Sequence, residues 1–123
     1  MISVDTSALQ QYLSGLPGIH AHTIARAIAL HEIAISPVVL AEALSKPDLD
    51  SRSEDVLLSL PILKFHDEYW RRTGLLRASI LRAKLRAKLA DSLIAQACID
   101  HDLPLITYDD DFKNFIPAGL KLL

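Results

Sequence analysis

Short apolar runs alternate along the chain with longer segments in which apolar residues recur every three or four positions. The runs are "ISV" at 2–4, "IAI" at 33–35, "PILKF" at 61–65, "PLIT" at 104–107 and "LKLL" at 120–123. Each is too short for a helix and bounded by polar or turn-forming residues, so the first four read as strands, the one at 2–4 buried, and "LKLL" as a final edge strand. Between them the pattern predicts helices over 7–14, capped by Thr6 or Ser7, and over 17–31, started by Pro17. A third helix begins at Ser36-Pro37, a serine cap followed by proline in the first turn, and runs to about Ser45. A fourth covers 52–59. Residues 67–89 read as helical with a break near Thr73-Gly74, and Leu81, Leu85 and Leu89 would share one face. "LADSLIAQACIDHD" is the last helix. Strands alternating with helices, without hairpin signals, predict an α/β fold with a mainly parallel central sheet of four to five strands.

At 123 residues, half of them hydrophobic, the chain is expected to form one domain, 1–123, with an ample core. One cysteine, Cys98, excludes a disulfide framework and favours a reducing compartment. The N-terminus lacks the character of a signal peptide, and no apolar stretch suits a bilayer. A soluble, cytoplasmic protein is expected. Net charge is only −2, but the charges are segregated. Seven of the 13 basic residues lie between Arg71 and Lys88, while acids gather at 48–55 and 100–111.

Four acids stand where a carboxylate is unexpected. Asp5 and Asp109 each follow a predicted strand, at the carboxyl end where parallel sheets collect ligands. Glu42 sits among apolar neighbours in "SPVVLAEALS", and Asp91 precedes the apolar run of "KLADSLIAQAC". Taken singly, each has an ordinary explanation. Asp5 or Asp91 could cap a helix, Glu42 could pair with an arginine, and Asp109 to Asp111 could form a solvated turn. Were the four to converge, their mutual repulsion would demand a compensating cation, and an all-carboxylate site suits Mg²⁺ or Mn²⁺. Such a centre supports hydrolysis of a phosphodiester.

"ISVDTSAL", "SPVVLAEAL", "LADSLIAQAC" and "LPLITYDDDF" resemble, in order and over nearly the whole chain, the four acidic motifs of the PIN-domain ribonucleases. Size and motif order are most similar to the VapC-type toxins of bacterial toxin–antitoxin pairs. The resemblance implies a PIN-like α/β/α sandwich and a Mg²⁺- or Mn²⁺-dependent endoribonuclease. By motif position it implies Asp5, Glu42, Asp91 and Asp109 as catalytic metal ligands, with Asp111 either a further ligand or in an outer shell. Thr6 and Thr107 match hydroxyl positions beside those acids. A small antitoxin partner masking the site and a homodimer are also implied. A glycine common before the third motif is replaced here by "RAKLRAKLAD". The alternative is a non-catalytic PIN module that binds RNA or protein.

The basic segment suits an RNA substrate, and Arg82, Lys84, Arg86 and Lys88, nearest Asp91, are the expected phosphate contacts. Tyr69 and Trp70 are expected to pack in the core, and Cys98 to act as a small buried hydrophobe. Five histidines without ligand spacing speak against zinc, and four glycines without a phosphate loop against a P-loop enzyme. Within "TYDDDF", Asp110 should face solvent and Phe112 should anchor the turn.

Overall fold

The computed structural model describes residues 1–123. Two regular strands, β1 (Ser3–Val4) and β2 (Leu105–Ile106), pair in parallel, with Ser3 opposite Leu105 and Val4 opposite Ile106. Single parallel bridges continue the pairing outward, Ile2 to Ile33 and Ile35 to Ile62 on one side and Leu105 to Leu122 on the other. All five apolar runs therefore lie side by side in one parallel array, in the order 62, 35, 2–4, 105–106, 122. Only the central two form more than one bridge. The outer runs are tied by isolated bonds, such as Leu63 N–H to the Ile35 carbonyl at 2.8 Å and Leu105 N–H to the Lys121 carbonyl at 2.8 Å.

Six α-helices connect and cover the array: α1 (Thr6–Leu13), α2 (Ala21–Ala29), α3 (Pro37–Leu44), α4 (Ser51–Ser59), α5 (Tyr69–Arg82) and α6 (Leu89–Asp100). A 3₁₀ segment spans Asp110–Ala118. Helix α1 packs on α2 and α3, α3 on α4 and α6, and α5 on α6. Val4, Ile35, Ile94, Leu105, Ile106 and Phe112 are among the residues of the main core cluster, all essentially inaccessible. Burying each such side chain is worth about 1.5–3 kcal/mol.

The local signals hold at several helix starts. The Ser36 side chain accepts from Val38 N–H with Pro37 in the first turn, and the Asp50 side chain accepts from Ser53 N–H. Others shift. Helix α2 begins at Ala21 rather than at Pro17, because residues 16–18 are irregular and a turn at 19–20, closed by Ala21 N–H to the Gly18 carbonyl at 3.2 Å, comes before it. No break occurs at Thr73-Gly74. Thr73 is buried and its hydroxyl donates to the Tyr69 carbonyl at 2.8 Å, so the β-branched residue is satisfied inside the helix. A single exposed glycine costs about 1 kcal/mol there, and the packing of α5 on α6 offsets it.

Helix α5 ends seven residues before the predicted limit. Lys84 takes a left-handed conformation (φ 64°), Lys84 N–H bonds the Leu81 carbonyl, and Leu85 N–H bonds the Ile80 carbonyl. This is a Schellman cap, formed without glycine. Residues 85–88 carry no regular structure and are held by Arg77 Nε donating to the Ala87 carbonyl at 2.7 Å. Leu81, Leu85 and Leu89 consequently share no helical face, and all three are exposed. Tyr69 is buried as expected, with its hydroxyl donating to the Leu93 carbonyl at 2.5 Å, but Trp70 is 65% exposed. On a helix with Tyr69 turned inward, the next position, 100° round, turns out.

Arg72 has a structural role within the basic segment. Its guanidinium forks onto the Asp100 carboxylate, which also accepts from Gln96 Nε2. Burial pushes the Asp100 carboxyl up, but the bonds from Arg72 and Gln96 outweigh it and hold it below the usual carboxylate range. Cys98 is buried, and burial pushes its thiol up to about 12, which leaves it an unreactive hydrophobe.

Candidate metal centre

Strand β1 delivers Asp5, and the turn after β2 delivers Asp109, at neighbouring carboxyl ends of the parallel pair. Asp5 ends the strand and caps α1: its Oδ1 accepts from Ala8 N–H at 2.9 Å. The same carboxylate accepts from Ser7 Oγ at 2.8 Å and from Thr107 Oγ1 at 2.6 Å. Thr107 Oγ1 in turn accepts from Asp109 N–H at 2.9 Å, so one hydroxyl spans the two strand-end acids. Asp109 caps the 3₁₀ segment by accepting from Asp111 N–H at 2.9 Å. On α3, the exposed Glu42 accepts from Thr6 Oγ1 at 2.5 Å. Glu42 is neither in the core nor paired with an arginine; it stands on the open side of the cleft.

Asp91 lies in the first turn of α6 and is not its cap, a position held by Lys88. One of its oxygens, Oδ2, is buried with no hydrogen-bond partner. An orphaned buried carboxylate oxygen is costly unless a cation or a donor meets it.

Asp5, Glu42, Asp91 and Asp109 line one cleft of about 240 Å³, together with Ser7, Gln10 and Lys88. Burial, with a smaller push from the charge of Asp109, raises the Asp5 carboxyl above its ordinary value even though Thr107, Ala8 and Ser7 donate to it. Asp91 is pushed up to about 6, first by burial and next by the charge of Asp109; Asp5 and Glu42 add to the rise, and Lys88 opposes it. Four acids facing one cation leave a deficit of positive charge.

The tightest grouping is a different subset. Ligand oxygens of Asp91, Asp109 and Asp111 lie within 4.8 Å of one another. Asp111 thus stands beside Asp109 rather than further out, because the 3₁₀ turn brings its side chain back towards α6. Asp5, tied by Thr107 and Ser7, lines the same cleft as Asp91 and Asp109. The all-oxygen donor set and the orphaned Asp91 Oδ2 fit a hard divalent cation.

Thr6 and Thr107 occupy the expected positions beside acids. Of the four expected phosphate contacts, only Lys88 lines the cleft. Arg86 lies 3.8 Å from Asp111, and Arg82 and Lys84 are exposed without reaching it, because α5 stops at Arg82 and the chain turns away. Ser7 and Gln10 went unnoticed in the sequence. Their signal was the helical spacing of small polar residues after Asp5, which puts both on one face of α1. In the acidic triplet, Asp110 is exposed and Phe112 buried, as expected.

The fold and site define an α/β protein with an acidic, cation-seeking centre at the carboxyl edge of a parallel sheet. A family profile described as PIN domain matches residues 2–116, and the chain belongs to that family. No curated protein sequence matches it significantly. Among solved structures it is similar to VapBC2 of Rickettsia felis bound to a DNA fragment from its promoter, with 26% identity, a TM-score of 0.76, and 100% of this chain and 98% of that one covered. It is also similar to VapBC-1 of nontypeable Haemophilus influenzae (16% identity, TM-score 0.75, 100% and 97% covered). FitAcB of Neisseria gonorrhoeae is a third (17%, TM-score 0.71, 100% and 96% covered). The structural neighbours thus include VapBC toxin–antitoxin complexes, in keeping with a VapC-type PIN toxin. No helix is long and apolar enough to cross a membrane.

Proposed function

We propose that this chain is a Mg²⁺- or Mn²⁺-dependent endoribonuclease, the toxin of a type II toxin–antitoxin pair acting in the cytoplasm, held in check by a small antitoxin and assembling as a homodimer. The observation that carries this reading is the meeting of Asp5, Glu42, Asp91 and Asp109 in one cleft, with Asp111 alongside and an Asp91 oxygen left without a partner. Membership of the PIN family and the toxin–antitoxin complexes among its structural neighbours support the remainder.

Asp91, Asp109 and Asp111 would hold the cation, with Asp5 and Glu42 lining the same cleft. A divalent ion there supplies Lewis acidity towards water and neutralises charge on the phosphate. The protein's own part is positioning. Thr107 ties the Asp5 carboxylate to the backbone at Asp109, Thr6 orients Glu42, and Lys88 offers a cation to an incoming phosphate oxygen. In the metal-free cleft, burial raises the affinity of Asp5 and Asp91 for protons, a cost that a bound cation would relieve.

The test uses chain freed of any co-purified partner, with calorimetric Mn²⁺ titration and cleavage of labelled RNA in Mg²⁺ or EDTA. Metal-dependent cleavage, lost in a folded Asp91→Asn protein, is expected. Absence of both Mn²⁺ binding and RNA cleavage would leave a non-catalytic binding module as the better description.

A further inference from the structure

The acid cleft has a neutral extension. Helix α1 presents Ser7, Gln10, Gln11 and Ser14 along one face, at the i, i+3, i+4, i+7 spacing, while Ala8 and Leu9 on its other side are buried. That polar face floors an open trough of about 550 Å³ whose remaining wall is Lys46, and no apolar or acidic residue lines it. Ser7 and Gln10 line both trough and cleft, so the two are continuous. On its other side an adjoining pocket, which shares Gln10, Ser14 and Lys46, carries Asp48 and Asp50. From Ser7 to Ser14 the helix rises about 10 Å, enough for a short length of strand rather than a single phosphate.

We propose that this trough is the path of single-stranded RNA leaving the scissile phosphate, with Lys46 as the outer phosphate contact and Gln10 and Gln11 as hydrogen-bonding partners of the bases or sugars. The inference rests on the ribonuclease reading and adds to it the route of the substrate. Three features favour a nucleic-acid strand. Continuity with the acid cleft places one end of the trough where a phosphate would be cut. No acid lines the trough itself, in a chain where 23% of residues are charged, so a polyanion meets repulsion at the adjoining acid cleft and at Asp48 with Asp50, and not along the floor. Its one cation, Lys46, is exposed and makes no ion pair, whereas Arg72, in the basic segment, is spent on Asp100. Lys88 at the cleft and Lys46 at the far end would then bracket the strand. Serine and glutamine offer donors and acceptors to any base, which predicts a sequence preference weaker than a bidentate arginine would impose.

The experiment measures fluorescence anisotropy of a short labelled single-stranded RNA in Ca²⁺ across a salt series, and steady-state cleavage in Mg²⁺. The proteins are wild type, Lys46→Ala, Lys46→Arg, the double variant Gln10→Ala/Gln11→Ala, and Lys64→Ala, which removes an exposed lysine of the 61–65 run. Lys46→Ala should weaken binding about fivefold and reduce the salt slope by about one, with arginine restoring both and Lys64→Ala matching wild type. In cleavage, Lys46→Ala should raise KM rather than lower kcat, and the glutamine pair should raise KM without altering the salt slope. If wild type binds and cuts RNA but Lys46→Ala keeps its affinity and salt slope, the path is wrong and the ribonuclease reading stands. If wild type neither binds nor cuts RNA, the ribonuclease reading itself fails.

Discussion

Asp91→Asn separates a carboxylate that stabilises the fold from one the fold tolerates for another purpose. In the metal-free protein the Asp91 carboxyl is pushed up to about 6, from an unfolded value near 3.9. The folded state therefore binds this proton more tightly than the unfolded chain does. Its contribution to stability falls as pH rises from about 4 to about 6, and stays at its lowest above that. Two units correspond to roughly 3 kcal/mol at face value. Asp91 is only half buried, so solvent screening reduces this to about 2 kcal/mol. Losing a negative charge in the first turn of α6 returns about 0.5 kcal/mol. The asparagine protein should thus be more stable than wild type by about 1–2 kcal/mol at pH 7.5 in EDTA, a rise in Tm of about 3–10 °C for a chain of this size. At pH 4 the two should melt together. Millimolar Mn²⁺ should raise the wild-type Tm more than the variant's, since an ion bound only to the folded state stabilises it by mass action. The assay is a set of thermal melts followed by circular dichroism at several pH values, with and without Mn²⁺. An asparagine protein that melts below wild type in EDTA at pH 7.5, or by the same margin at every pH, would refute the reasoning. It would show that Asp91 serves the fold through contacts rather than straining it.

Three further substitutions probe neighbouring features. Thr107→Val removes the donor to Asp5 and the acceptor of Asp109 N–H; it should cost about 2–3 kcal/mol in chemical denaturation and most of the RNA cleavage. Asp110→Ala loses only an exposed pair with Lys113 at 3.2 Å, so stability should change by less than about 0.5 kcal/mol and cleavage should be unaltered. A marked loss of activity there would overturn the division of labour within the acidic triplet. Arg72→Leu strips the guanidinium from Asp100, whose depressed pKa makes this pair stabilising above the unfolded carboxyl value and lost as pH falls through the folded one. Its Tm should lie below wild type at pH 7, and the gap should close on acidification below about pH 4.

Much of this protein is decided by local chemistry. Apolar runs bounded by turn residues became the five members of the parallel array, and Ser36-Pro37 capped its helix, because dihedral preferences and caps act over a few residues. The positions of Asp5 and Asp109 followed from the same logic: a charge cannot continue a buried strand, so it marks the edge where ligands gather. Motif order then brought Glu42 and Asp91 into the same reading. What remained illegible depends on contacts between distant residues. Whether α5 continued past Arg82 rested on a left-handed Lys84 and on Arg77 reaching Ala87, and that stop turned Arg82 and Lys84 away from the cleft. Trp70 lay outside because packing against Leu93 claimed Tyr69 instead. Asp111 joined Asp91 and Asp109 only when the 3₁₀ turn docked against α6. The sequence by itself picked out the four acids that meet in one cleft, and their order along the chain. The tertiary structure alone decided their distances, the burial that pushes Asp91 upward, and the placing of Lys46 beside the polar face of α1, since charge and solvation depend on neighbours far apart along the chain.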